Sequence, residues 1–256
     1  MTFDAAILLL LLLVVVGLLI HQHYRQRLLE KLFHSSQQQT ETLISNKIAG
    51  LFHQFEAYLS LRDRLDLKQG LPYTPYWSAG PDFLKVITEH CLQHRPNTVV
   101  ECSSGLTTLM LARCCQLNQQ GHVYSLENGE QYAEASREHL QRYQLTTEAT
   151  VIHAPLETKS ANGKPFQWYA IDQLPKGSID MLVIDGPPGF LQKHSRYPAL
   201  PLLFDRLADH CTIFMDDADR DDEREIVELW LSEYPELTHE FIKTERGCSV
   251  LTLNRS

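Results

Sequence analysis

The sequence has no C-x-x-C pair, no G-x-G-x-x-G run, no internal repeat and no surplus of basic residues. Its six cysteines, Cys91, Cys102, Cys114, Cys115, Cys211 and Cys248, are irregularly spaced. That spacing argues against a thiolate zinc site and against a disulfide framework. Cys114 and Cys115 fall in an apolar helical run, where a free thiol packs as a small hydrophobe and fits a reducing compartment. The missing basic surplus argues against nucleic acid as a partner. Residues 1–70 hold seven Lys/Arg against six Asp/Glu, and the whole chain carries −9, so residues 71–256 sum to −10. Binding phosphate backbones rests on Lys and Arg, which this acidic region lacks in excess.

What the chain does have begins with an uncharged run of sixteen residues, Ala5 to Ile20, in a sequence of 256 residues that is 43% hydrophobic. As a helix the run spans roughly 24 Å, somewhat less than a hydrocarbon core of about 30 Å. Phe3 and Thr2 extend it, and local bilayer thinning absorbs the remainder. A cleaved signal peptide wants a basic start and a small-x-small site. Here the charged side chain before the run is Asp4, and Arg25, Arg27 and Lys31 follow it. The expectation is a retained single-pass membrane anchor over residues 1–24, with the C-terminal bulk facing the cytoplasm. Residues 25–70 read as a helical neck. Leu43, Ile44, Ile48, Leu51, Phe52, Phe55 and Leu59 recur at three- and four-residue steps, after a polar break at Gln37–Gln39. This apolar stripe suits packing on the domain, a dimer contact or a lid; the oligomeric state is not legible.

From Leu71 a Pro-rich loop carries Tyr73, Tyr76 and Trp77, and Asp82 is placed to cap a helix reaching about His94. Short β-branched runs then alternate with helical patterns, which predicts a doubly wound, mostly parallel α/β sheet over residues 71–256. Strands are expected at Thr98–Glu101, His122–Leu126, Ala149–His153, Ile179–Ile184 and Cys211–Met215. The helices expected between them are roughly Thr107–Gln116, Gly129–Tyr143 and Pro198–Ala208. A last pair, Thr238–Lys243 and Cys248–Leu253, reads as an antiparallel hairpin.

Four segments carry candidate chemistry. Val99-Val-Glu-Cys-Ser-Ser-Gly105 is a strand, a small-residue turn and a helix start, where backbone N–H groups are open to a ligand. It resembles the first motif of class I S-adenosylmethionine-dependent methyltransferases, an acid followed by x-G-x-G. Glu101 matches the acid and Gly105 the second glycine, while Ser103 replaces the first. Glu127, 22 residues after Gly105, stands where such folds place a carboxylate on ribose hydroxyls; it also suits a cap for the following helix. Ala154 and Leu156 match the adenine-contacting segment. Ile184-Asp185-Gly-Pro-Pro-Gly189 resembles the methyltransferase-24-like group in particular.

The resemblance implies a seven-stranded Rossmann-like fold and transfer of a methyl group from S-adenosylmethionine to an acceptor oxygen. In metal-assisted relatives an Asp after the fourth strand and an Asp-Asn pair after the fifth hold the ion. Asp185, Asp216 and Asp217 take those places here, so Mg²⁺ is an expected cofactor. Residues 216–225 hold seven acids, and the run equally suits a solvated helix start. Asp185 and His194 are candidate general bases; Arg196 or Arg220 suits a grip for an anionic acceptor, and each equally suits pairing with the surrounding acids. A small molecule, a glycan or a lipid-linked intermediate met at the membrane is the expected acceptor. Two other classes stay open: an NAD-linked oxidoreductase on a similar sheet, disfavoured by the broken glycine fingerprint, and a catalytically silent membrane scaffold.

Overall fold

The computed structural model describes residues 3–72, 74 and 78–255. Thr2, the side chain of Phe3 and the loop residues Tyr73, Pro75, Tyr76 and Trp77, which figured in the sequence reading, lie outside the described residues. The chain divides into two compact units, Met1–Phe52 and His53–Ser256.

The first unit is helical throughout its described length. It is the larger part of α1, Phe3–Arg64, a helix of 62 residues. The helix runs unbroken through the polar stretch Gln37–Gln39, since glutamine is a good helix former and no proline interrupts the segment. Ile7–Arg64 contains an 18-residue window of mean hydropathy 2.2 with none of its surface buried. By length and composition it is apolar enough to cross a membrane. Within this unit Leu43, Ile44, Ile48, Leu51 and Phe52 are exposed.

The second unit opens with the end of α1, where Phe55 and Leu59 are exposed while Ala57, Leu61 and Leu65 are buried. Of the stripe read from the sequence, Phe55 and Leu59 are therefore not on the face that packs within this unit. After α2 (Pro81–His94) come β1 (Thr98–Cys102), α3 (Leu106–Asn118), β2 (His122–Glu127), α4 (Glu130–Arg142) and β3 (Ala149–His153). A two-stranded hairpin follows, β4 (Leu156–Ala161) and β5 (Lys164–Tyr169). The chain then re-enters the sheet with β6 (Ile179–Ile184), α5 (Ala199–Leu203), β7 (Leu207–Asp216), α6 (Asp221–Glu233), β8 (Leu237–Ile242) and β9 (Cys248–Asn254). The seven-stranded order is β3-β2-β1-β6-β7-β9-β8, with β9 antiparallel to both neighbours.

The central strands are buried on both sides and alternate between two cores, as parallel strands covered by helices must. Val99, Met181 and Val183 join Phe83, Ile87, Leu109 and Leu140 of α2, α3 and α4. Val100, Leu182 and Ile184 join Trp168, Leu200 and Trp230 on the other face. Each such aliphatic side chain contributes about 1.5–3 kcal/mol by leaving water.

Two expectations are corrected. The helix predicted over Pro198–Ala208 ends at Leu203, passes through a 3-10 turn at Phe204–Arg206 and becomes strand at Leu207. Leu200, Leu203 and Leu207 keep a helical spacing, yet Leu207 pairs with Ile179 across a register shift in β6. The β4–β5 hairpin was not foreseen. Its turn, Asn162-Gly163, has positive φ at both residues (46° and 76°), the geometry a two-residue hairpin requires.

Candidate active site at the carboxyl ends of the strands

The chain leaves β1 on one side for β2 and β3 and returns on the other for β6. The carboxyl end of β1 is thus the switch point where open α/β sheets bind ligands. The turn there is Ser103-Ser104-Gly105, running into the N-terminus of α3. Ser103 holds φ +133°, a left-handed conformation suited to glycine, so the backbone keeps the glycine shape at a cost of about 1–3 kcal/mol. Gly105 has φ +132°, and a Cβ there would meet no atom within 4 Å. The turn therefore faces open space, with helix N–H groups at its edge. That is the cradle an anionic or polar ligand group needs.

Glu101 lies beneath this turn rather than in it. It is fully buried, and its carboxylate accepts hydrogen bonds from Thr107, from Thr108 at 2.7 Å and from Ser125 at 2.6 Å. Thr108 Oγ1 in turn accepts the Gly105 N–H at 3.0 Å. Burial raises the Glu101 pKa to about 7, against the pull of the three hydroxyls. The sequence reading placed Glu101 among the cofactor contacts. In this structure its oxygens hold the hydroxyls that shape the turn.

Glu127 ends β2. One oxygen accepts from Ser104 Oγ at 2.9 Å, the other from the Gly129 N–H at 3.0 Å. The carboxylate thus braces the start of α4, as the capping reading expected, and it also reaches the β1 turn. Ser104 also meets Ser136 Oγ of α4 at 2.8 Å. Ser136 belongs to no sequence motif, and Ser104 stands at an unspecified position of the first one. Ala154 is fully buried, its N–H donating to the Glu127 carbonyl at 2.7 Å. Leu156 is half-buried at the start of β4, paired with Tyr169.

Beyond β6, Asp185 donates its N–H to the Cys102 carbonyl at 3.1 Å, which draws the β6 end against the β1 turn. Gly186 is needed there, since a Cβ would collide with the Tyr169 hydroxyl and lie 3.3 Å from Ser103 Cβ. Asp185, Asp216 and Asp217 do converge, with carboxylate oxygens within 4.8 Å of one another. They are not alone. The buried Arg196 guanidinium lies 2.7 Å from Asp217 Oδ2 and 3.4 Å from Asp185 Oδ1. Arg246 lies 2.7 Å from Asp216 Oδ2 and 3.3 Å from Asp217 Oδ1. The side chain of Asp185 is 13% exposed, against 1% for Asp216 and 3% for Asp217, so it is the one of the three open to a ligand. Burial holds the Asp185 carboxyl well above the usual carboxylate range. The charges of Asp216 and Asp217 add to this, and Arg196 and Arg246 oppose it.

His194 belongs to a separate group. Its Nε2 is 2.8 Å from Glu225 Oε2, and its backbone N–H donates to Asp222 at 2.8 Å. The ring is engaged with α6 rather than with the acids at the strand ends.

The strand order, the one antiparallel strand and the turn at the switch point define the fold of class I S-adenosylmethionine-dependent methyltransferases. Solved structures share it. An O-methyltransferase from Bacillus cereus in complex with SAH is 16% identical, with a TM-score of 0.55 over 79% of this chain and 91% of that one. The O-methyltransferase TomG from Streptomyces achromogenes, in complex with SAM, is 14% identical, with a TM-score of 0.54 over 78% and 89%. The SAH-bound Podospora anserina methyltransferase PaMTH1 is 15% identical, with a TM-score of 0.54 over 76% and 86%. At these identities the likeness is one of fold. At the level of sequence, residues 100–218 match the family model described as a methyltransferase domain. Among curated proteins no sequence match is found.

Proposed function

We propose that this chain is a membrane-anchored, S-adenosylmethionine-dependent methyltransferase acting on an oxygen of a small-molecule acceptor. The observation that carries the reading is the open Ser103–Gly105 turn at the switch point, tied through Ser104 to Glu127 and pressed against Asp185. Glu127, held by Ser104 and Gly129, is placed to accept hydrogen bonds from ribose hydroxyls. Ala154 and Leu156 would contact the adenine. The turn N–H groups and the α3 terminus would hold the cosubstrate's polar end. S-adenosylmethionine, when bound, supplies an electrophilic methyl group on a sulfonium.

The protein's share is positioning and proton removal. Holding acceptor and methyl group in line replaces a bimolecular encounter by a preorganised one. Asp185 would take the proton from the acceptor hydroxyl, and the oxygen–methyl bond would form as the sulfonium C–S bond breaks, releasing S-adenosylhomocysteine. Its raised pKa makes Asp185 a stronger base than an ordinary carboxylate. Within this proposal residues 1–24 anchor the chain, residues 25–70 form the neck and residues 71–256 the catalytic domain, facing the cytoplasm. The apolar window in α1, none of it buried, supports the anchor. Neighbours described as O-methyltransferases favour an oxygen acceptor, and the tether favours acceptors made at the membrane, glycan or lipid-linked intermediates among them.

A NAD-linked oxidoreductase shares the acid at the end of β2, so cofactor titration separates the two. Calorimetry with S-adenosylhomocysteine (SAH) and with NAD should register the first and not the second. Incorporation of labelled methyl from S-adenosylmethionine into cell extract, with mass identification of the product, then finds the acceptor.

A further inference from the structure

Three carboxylates within 4.8 Å of one another look like a divalent-cation site, and oxygen donors of that kind suit Mg²⁺. The residues around them do not fit that ion. Asp217 has Arg196 on one oxygen at 2.7 Å, and on the other Arg220 at 3.0 Å and Arg246 at 3.3 Å. Asp216 gives one oxygen to Arg246 at 2.7 Å and the other to the Asp217 N–H at 2.8 Å. A cation entering between these acids would meet three guanidiniums and find the carboxylates of Asp216 and Asp217 already paired with them.

The central group is Arg196. It is 3% exposed, and its fork also takes the backbone carbonyls of Asp216 at 2.6 Å and Asp185 at 3.1 Å. One guanidinium thus ties the ends of β6 and β7 together and touches two of the three acids. We propose that Arg196 occupies the place of a divalent cation, as a built-in positive charge that orients Asp185 and closes the acid cluster to metal. Arginine suits this task, because its charge is permanent and its planar fork binds several oxygens in fixed directions. Burial opposes the Arg196 charge, but Asp185, Asp217, Glu223 and Asp216 outweigh it and hold the group firmly protonated. Arg196 is a positioning residue: it acts on the acceptor through Asp185. This deepens the proposed function, and the role of Asp185 rests on that reading.

The test is a Mn²⁺ titration of the full chain in detergent, followed by the electron paramagnetic resonance of free Mn²⁺, with and without SAH. The expected result is no binding at the cluster tighter than about 10⁻³ M, the weak end of functional hard-cation sites. Mg²⁺ and EDTA should leave the Tm unchanged. Arg196→Ala should uncover the carboxylates, bind Mn²⁺ at least about tenfold more tightly than that limit, and regain Tm on adding it. Arg220→Ala, which leaves Arg196 in place, should bind none. Tight Mn²⁺ binding by the unmodified chain that is lost in Asp217→Asn would overturn the inference. So would an Arg196→Ala chain that folds and still ignores Mn²⁺. If Arg196→Ala does not fold, the titration of the unmodified chain decides alone. SAH binding by calorimetry on the same sample is a separate readout, so failure of the methyltransferase reading is distinguishable from failure of this one.

Discussion

Replacing Glu101 by Gln isolates the buried carboxyl beneath the turn. In the folded chain burial raises its pKa from 4.5 to about 7. A raised carboxyl binds its proton more tightly folded than unfolded. Below pH 4.5 both states are protonated and Glu101 costs nothing. Between 4.5 and 7 the unfolded chain ionises first, so stability falls by about 1.4 kcal/mol per pH unit. Above 7 both states are ionised and the loss, about 3 kcal/mol in all, is complete. Glutamine cannot ionise, and the hydroxyls of Thr107, Thr108 and Ser125 can turn to meet its amide. The stability of Glu101→Gln relative to the unmodified chain should therefore rise by up to about 3 kcal/mol between pH 4.5 and pH 8. Other titrating groups are common to both chains and largely cancel. Denaturant unfolding followed by tryptophan fluorescence reads it, since Trp168 and Trp230 are fully buried in the folded unit. A difference that stays flat within about 0.5 kcal/mol would mean that the three hydroxyls outweigh burial and that Glu101 is an ordinary buried carboxylate.

Glu127→Ala should weaken SAH binding by about 1.5–3 kcal/mol, roughly ten- to 150-fold in Kd by calorimetry. The fold should lose only about 1 kcal/mol, for the bonds to Ser104 and Gly129. Asp185→Asn should lower turnover by about 10²–10⁴ while leaving SAH affinity nearly unchanged. With Asp185 intact, kcat/KM should rise with pH through an acid limb lying above the usual carboxylate range, because only the ionised group takes a proton. A chain beginning at Gln38 should remain in the supernatant without detergent, whereas the full chain should sediment with membranes. A C-terminal tag cut by protease from outside intact cells or spheroplasts would contradict the cytoplasmic orientation.

Much of the sheet was legible because buried parallel strands write themselves as β-branched runs. β3 and β6 begin and end where the sequence placed them, at Ala149–His153 and Ile179–Ile184. The terminal hairpin differs by one residue at each end of its first strand and at the end of its second. The failures have specific causes. Leu200, Leu203 and Leu207 mimic a helical period that the 3-10 turn cuts short. The hairpin of β4 and β5 is polar enough to read as loop, although Asn162-Gly163 was a turn signal in plain view. At the site, strand-end residues were legible because each closes or directly follows its strand: Glu127 and Asp216 end β2 and β7, and Asp185 follows β6. Their partners were not. Ser136 meets Ser104 from 32 residues away, and Arg246 meets Asp216 from 30. Such pairs are set by the packing of elements, which a local motif does not encode. His194 shows the converse, a plausible base by type that the fold turns toward Glu225.

The central claim is that the turn at the end of β1 binds S-adenosylmethionine. Isothermal titration of the full chain with SAH tests it most directly. The expected result is saturable binding at one site per chain, weakened at least about tenfold in Glu127→Ala. Absence of SAH binding by the folded chain, or binding indifferent to Glu127, would contradict the account.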